Sequence, residues 1–198
     1  MNFYFVAKKF VKLFSYLFFP VRIVGDMSKM PKDSGVVLCA NHISYFDAIF
    51  LGIAFKRQIR FVGKEKYAKK PILKTLFKLL GAFGIDPDKA DITAIRNCFS
   101  VVKNGEVLGI FPEGTRIIKG KISNPMPGAV MIAHKTKSPI FYVKIKPSKG
   151  TFKLFRKNYL YVGELISVAD LGVTSGKGDD YKNASLTLME KIYSLGEK

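Results

Sequence analysis

Histidine, cysteine and acidic side chains are scarce in this chain. Of 198 residues, two are histidine and two are cysteine, and 15 Asp and Glu stand against 33 Lys and Arg. Cys39 lies in an apolar run and Cys98 in a helical pattern. No spacing motif links them, which excludes a zinc site and a disulfide framework and leaves two reduced, buried thiols. No metal-ligand set is visible, and neither metal nor cofactor is expected. The sequence has no internal repeat and no low-complexity linker, so its length suits a single domain. It carries no zinc-finger, helix-turn-helix or aromatic RNA-binding signature, and nucleic acid is not an expected partner. The shortage of acid leaves a net charge of +18. Such a chain is drawn to anionic surfaces, whether lipid, nucleic acid or an acidic carrier protein, and charge alone does not choose among them.

The N-terminal segment also lacks a long apolar run. Its longest uncharged stretch, from Leu13 to Val21, falls well short of the ~20 residues needed to cross the hydrocarbon core. On a helical wheel Phe3, Val6, Phe10, Leu13, Phe14 and Leu17 share one sector, while Lys8, Lys9, Lys12 and Ser15 lie opposite. Phe5 and Phe19 fall among the lysines. This pattern predicts an amphipathic helix over 1–20 that lies in a membrane interface. A helix packed on its own domain is the other reading. A signal peptide is disfavoured, because Phe18-Phe19-Pro20-Val21-Arg22 offers no small-residue cleavage site.

Beyond Pro20, apolar runs alternate with helical periodicity. Strands are expected at 36–40, 59–63, 106–111, 139–145 and 159–165. Helices are expected at 46–55, 65–82, 92–103, 128–137 and 179–195, with Asp91 as an N-cap and Asn104-Gly105 as a stop. Alternation of this kind predicts one α/β domain, a largely parallel sheet covered by helices.

Two segments carry candidate chemistry. The strand ending at Ala40 runs into Asn41-His42-Ile43-Ser44-Tyr45-Phe46-Asp47. Ligands of open α/β sheets bind beyond the carboxyl ends of strands. A carboxylate on the next helical turn can fold back onto the imidazole, fix its tautomer and leave the other ring nitrogen as a base. Alone, the pair also fits a structural histidine. The only other histidine, His134, reads as an ordinary helix residue. The strand Val107–Ile110 leads into Phe111-Pro112-Glu113-Gly114-Thr115-Arg116. Gly114 permits a tight turn near a ligand, Arg116 offers a planar fork for phosphate, and Glu113 can orient that arginine or meet a substrate hydroxyl. A strand-ending turn with an exposed Glu–Arg pair is the alternative. The eight cations between Lys135 and Lys157 form a basic stretch that suits lipid or an acidic carrier protein, or is simply solvated.

Taken together, Asn-His-x4-Asp and Phe-Pro-Glu-Gly-Thr-Arg some seventy residues later resemble the glycerolipid acyltransferase family, on its 1-acylglycerol-3-phosphate acyltransferase branch. The resemblance covers roughly 20–165 and makes 21–198 the acyltransferase domain, with 1–20 as its membrane-anchoring helix. It implies His42 and Asp47 as the catalytic pair. It implies substrate binding by Asn41, Glu113, Gly114, Thr115 and Arg116. Pro87 stands where the family's second motif has an arginine, so Lys64, Lys66 and Lys89 are candidates to neutralise phosphate. Ser138–Val143 fits the family's fourth motif loosely. The implied donor is acyl-carrier protein or acyl-coenzyme A, the acceptor a lysophospholipid, and the location the cytoplasmic face of the cell membrane, peripheral or monotopic. Three rival readings remain: a relative acting on glycerol-3-phosphate or another lysophospholipid, a basic membrane- or nucleic-acid-binding protein without activity, and a degenerate family member, against which the intact motifs speak.

Overall fold

The computed structural model describes residues 17–64, 81–85, 91–117 and 124–197, together with Lys9, Lys12, Leu13 and Ser15. Its described strands are β1 (Val21–Val24), β2 (Val36–Ala40), β3 (Ile59–Lys64), β4 (Phe83–Ile85), β5 (Val107–Ile110), β6 (Ile140–Pro147) and β7 (Asn158–Ile166). The described helices with full boundaries are α1 (Asp47–Ala54), α2 (Ile92–Lys103), α3 (Gly128–Thr136) and α4 (Gly178–Ser194). The strands form one sheet in the order β1-β7-β6-β2-β5-β3-β4. Every neighbouring pair is parallel except β6 with β7. The expected largely parallel α/β domain is the fold observed.

The central strand shows why. All five residues of β2 are buried, as a parallel strand covered on both faces requires. Val37 and Cys39 point into a core made with α2, α3 and α4, including Val102, Ala133, Leu188 and Ile192. Val36, Leu38 and Ala40 point into the opposite core, with Leu51 and Phe55 of α1. The period of two in β2 therefore sorts its side chains into two helical layers. Asp91 caps α2 by accepting a hydrogen bond from Ala94 N at 2.9 Å, and Gly105 leaves the helix end at φ 78°.

Two strands were not expected. β1 is an edge strand paired only with β7, and three of its four residues are exposed, so it shows no alternating pattern. β4 has three residues with Gly84 at its centre. The expected helix 65–82 falls mostly outside the described residues. Its last two positions differ: Gly81 has φ 62° and lies in a turn, and Ala82 leads into β4. Left-handed backbone at Gly81 is incompatible with helix continuation.

At the N-terminus Lys9, Lys12, Leu13, Ser15, Leu17 and Phe18 are helical. Leu13 and Leu17 of the expected apolar sector are 61% and 56% exposed. Ser15, placed with the lysines by the wheel, is instead buried, and its Oγ donates to Phe19 O at 3.1 Å. Phe3, Val6, Lys8, Phe10 and Phe14 lie outside the described residues, as do Lys66, Pro71, Pro87 and Lys89. Among the described residues no helix is long and apolar enough to cross a membrane.

Candidate active site

Strands β2 and β5 are parallel neighbours, with Cys39 opposite Ile110. Their carboxyl ends therefore emerge side by side, and the two motifs meet although 71 residues separate His42 from Glu113. The backbone stitches them together. The His42 N–H donates to Glu113 Oε2, and the His42 carbonyl accepts from Ile117 N at 2.8 Å. Both backbone polar groups of His42 are thus held by the second motif and the residue that follows it.

The ring of His42 is held as firmly. Its Nδ1 lies 2.7 Å from Asp47 Oδ2. Asp47 opens α1 and is fully buried, and the same oxygen accepts the backbone N–H groups of Ile43 at 2.7 Å and Ser44 at 2.8 Å. These amide bonds fix the carboxylate before it meets the imidazole. Facing a carboxylate, Nδ1 carries the ring proton, and Nε2 presents a lone pair. No described residue hydrogen-bonds Nε2. The imidazole stacks on Phe111, centroids 4.2 Å apart and planes 17° apart, and Phe111 in turn stacks on Phe61. The side chain keeps 21% of its surface exposed. This is an oriented imidazole at a strand end, with Nδ1 clamped and Nε2 without a hydrogen-bond partner among the described residues.

Glu113 departs from its expected orientation. It neither pairs with Arg116 nor opens to solvent; it is buried, and its two oxygens accept from His42 N and from the Tyr193 hydroxyl. Burial pushes its carboxyl up to about 7, against the two hydrogen bonds, which lower it, while Asp47 raises it further. Tyr193 lies in α4, which carries no recognisable signature, and nothing in its local sequence marks it. Burial, and then the Glu113 carboxylate, push the Tyr193 phenol upward.

Arg116 pairs with Tyr45 instead. Its guanidinium lies over the Tyr45 ring, 3.6 Å from the centroid, and Nη2 donates to the Tyr45 hydroxyl at 2.8 Å. Stacking of this kind fixes the guanidinium plane while leaving most of its N–H groups for another acceptor. Gly114 turns the loop at φ 65°, and a Cβ there would sit 2.7 Å from Met126 Sδ. Thr115 is exposed beside it.

Asn41 has its amide occupied on both sides: Nδ2 donates to Ile145 O at 3.0 Å, and Oδ1 accepts from Ile145 N at 2.7 Å. It pins the end of β2 to β6. The Lys64 side chain and all of Lys89 lie outside the described residues. In the expected basic stretch, Lys144 is buried rather than at the surface. Its Nζ meets Tyr193 O and, at 3.1 Å, Glu197 Oε1, placing a cation at the C-terminal end of α4 where free carbonyls favour it. His134 bonds Tyr181 through Nδ1 at 2.8 Å and belongs to the α3–α4 packing. Both cysteines are buried free thiols.

Known proteins share this architecture. The family model "Acyltransferase" matches residues 21–146. A 1-acyl-sn-glycerol-3-phosphate acyltransferase of Bacillus subtilis (strain 168) is 32% identical over 154 residues, 74% of each chain. A chloroplastic 1-acyl-sn-glycerol-3-phosphate acyltransferase of Arabidopsis thaliana is 26% identical over 136 residues, which are 67% of this chain but 38% of that longer protein. The crystal structure of a 1-acyl-sn-glycerophosphate (LPA) acyltransferase, PlsC, from Thermotoga maritima shares the fold, with a TM-score of 0.69 and 24% identity over 98% of this chain and 81% of that one. On the family match and the Bacillus relative together, this chain belongs to the acyltransferase family.

Proposed function

We propose that this enzyme transfers a fatty acyl group from a thioester carrier, acyl-carrier protein or acyl-coenzyme A, to the sn-2 hydroxyl of 1-acyl-sn-glycerol-3-phosphate, giving phosphatidic acid. The observation that carries this reading is the clamped His42–Asp47 pair beside Arg116. His42 Nε2 takes the proton from the acceptor hydroxyl as that oxygen attacks the thioester carbonyl. Asp47 stabilises the imidazolium formed, as the carboxylate does in a Ser-His-Asp triad. When the tetrahedral intermediate collapses, the carbon–sulfur bond breaks and the imidazolium returns its proton to the leaving thiolate. The substrate supplies the nucleophile, so no acyl-enzyme is needed.

Arg116, held flat by Tyr45, grips the acceptor phosphate. Thr115 and Gly114 shape the same loop, and Lys64 and Lys89 supply further positive charge to the phosphate. Glu113 acts from beneath, through the His42 backbone. Asn41 fixes the strand end from which His42 projects. The reaction takes place at the cytoplasmic face of the cell membrane, with the N-terminal helix lying in the interface. This location suits a one-chain acceptor that resides in lipid.

The test is acyl transfer by purified protein in mixed micelles. Both donors are offered with 1-acylglycerol-3-phosphate, glycerol-3-phosphate and larger lysophospholipids, and His42→Ala serves as control. Phosphatidic acid made by the wild type and not by the variant is the expected result. Transfer to another acceptor reassigns the phosphate site, with Pro87 as the first suspect. No transfer, or equal transfer by the variant, overturns the reading.

A further inference from the structure

Large apolar side chains from three distant parts of the chain form one outward-facing surface. The N-terminal helix contributes Leu13 and Leu17, and the site loop contributes Phe46 at 42% exposure. The connection between β6 and β7, residues 148–157, contributes Leu154 at 55% and Phe155 at 68%. Ring contacts join the three. Phe155 lies 5.7 Å from Phe18, Phe19 lies 5.4 Å from Phe46, and Phe46 lies 6.4 Å from Phe152. Exposed apolar side chains gathered in this way, over the half-buried rings of Phe18, Phe19 and Phe152, mark an interaction site.

The backbone adds an independent observation. Phe155 has φ 58°, a left-handed conformation that a bulky side chain rarely adopts. Its N–H donates to Phe18 O at 2.6 Å, tying the connection to the end of the N-terminal helix. Held in this way, the Phe155 ring stands largely exposed beside Phe18.

Charge identifies the partner. Lys149, Lys153, Arg156 and Lys157 are exposed in the same connection, which contains no acidic residue. Lys9 and Lys12 are exposed on the neighbouring helix. Aromatic and aliphatic side chains flanked by cations fit the boundary between acyl chains and anionic headgroups. An acidic protein would answer the cations but would leave the exposed Leu154 and Phe155 side chains in water.

We propose that the β6–β7 connection is a second membrane anchor. Leu154 and Phe155 enter the acyl region of an anionic bilayer beside the N-terminal helix, and Lys149, Lys153, Arg156 and Lys157 lie among the headgroups. Phe46, which adjoins both Tyr45 and Asp47, brings the edge of this surface to the candidate active site. The membrane contact stands without the acyl-transfer reading. Only its use, delivery of a lipid acceptor to His42, rests on that reading.

The chain contains no tryptophan, so Phe155→Trp in the full-length protein is a single reporter. Vesicles of phosphatidylcholine alone are compared with vesicles of equal parts phosphatidylcholine and phosphatidylglycerol. The expected result is a blue-shifted emission with the anionic vesicles and quenching by brominated acyl chains. In parallel, the double substitution Leu154→Ser and Phe155→Ser should weaken vesicle binding roughly tenfold or more. Transfer to a short-chain acceptor dissolved as monomers should be unchanged. Vesicle binding with unaltered emission from the introduced indole would overturn the proposal and leave the N-terminal helix as the anchor. Emission that responds to an acidic acyl carrier protein but not to vesicles would overturn it in favour of protein docking. The emission and vesicle-binding readouts do not use acyl transfer, so failure of the proposed reaction would be seen separately, in the transfer to the monomeric acceptor.

Discussion

Glu113 accepts a hydrogen bond from the backbone N–H of His42, and through it the second motif positions the first. The carboxyl is buried and titrates at about 7, well above its ordinary 4.5. Between those values the native protein keeps a proton that the unfolded chain has released. Glu113 therefore subtracts stability as pH rises from about 4.5 through about 7. Glu113→Gln keeps an oxygen for the His42 N–H and removes this titration. Thermal midpoints of wild type and variant, measured across that window, should diverge in the variant's favour as pH rises and run parallel above it. A pH-independent difference would show that Glu113 titrates as an exposed carboxylate does.

Asp47 and His42 make different predictions although they form one pair. His42→Ala removes the proposed base, and kcat should fall by roughly 10²–10⁴ or more. Asp47→Asn preserves shape: the amide oxygen can still accept from Ile43 and Ser44, and the amide nitrogen falls where Oδ1 has no partner among the described residues. The charge that steadies the imidazolium is lost, however. The variant should fold, losing about 1–3 kcal/mol for the unpaired amide donor, while kcat falls by several hundredfold to about 10⁴-fold, the scale seen for a triad aspartate. Steady-state kinetics alongside a melting curve separates the two effects, and a variant as active as the wild type would remove Asp47 from the mechanism.

Tyr45 holds Arg116 by its ring and by its hydroxyl, and the two contacts can be removed in turn. Tyr45→Phe keeps the ring beneath the guanidinium, and Tyr45→Ala removes both. Exposed cation–π contacts contribute about 0.5–1 kcal/mol, so Tyr45→Ala should raise KM for the phosphorylated acceptor about two- to fivefold. Arg116→Ala removes the proposed charge-assisted hydrogen bond to the phosphate, worth about 1.5–3 kcal/mol, and should raise KM roughly tenfold to a hundredfold. Tyr45→Phe should fall nearest the wild type, and kcat should change less than KM throughout. Initial rates over a range of acceptor concentration test this order.

Much of the fold is readable from sequence because the governing signals are local. β2 is an uninterrupted apolar run, and α2 carries both its cap and its stop. The His42–Asp47 pair is readable because the two residues share a single turn. What escapes depends on tertiary context. β1 and β4 are short and lack an alternating face, so only their pairing with β7 and β3 defines them. Glu113 looks like a partner for Arg116 because the two are close in sequence. In the fold its carboxylate turns inward toward a backbone amide, and Arg116 turns outward onto Tyr45. Lys144 reads as one more surface lysine until α4 closes over it.

Tyr193 is the part of the site that carries no mark in the sequence, and it provides the sharpest test of the network. Its hydroxyl donates to Glu113 Oε1, and its carbonyl accepts from the buried Lys144 ammonium. The end of α4 is thereby wired to the loop that holds His42. Tyr193→Phe removes the donor and keeps the ring. The Glu113 carboxyl then loses a hydrogen bond that lowers it, so its titration should move upward, still opposed by His42 N–H and raised further by Asp47. The pH range over which stability declines should move upward with it, because the native state now holds the proton to higher pH. In the Glu113→Gln background the same substitution has no carboxylate to act on, and that shift should vanish. A double-mutant cycle should therefore show a coupling of about 0.5–3 kcal/mol between the two positions above neutral pH. Additive effects at every pH would mean that Tyr193 only packs against the loop and does not tune it.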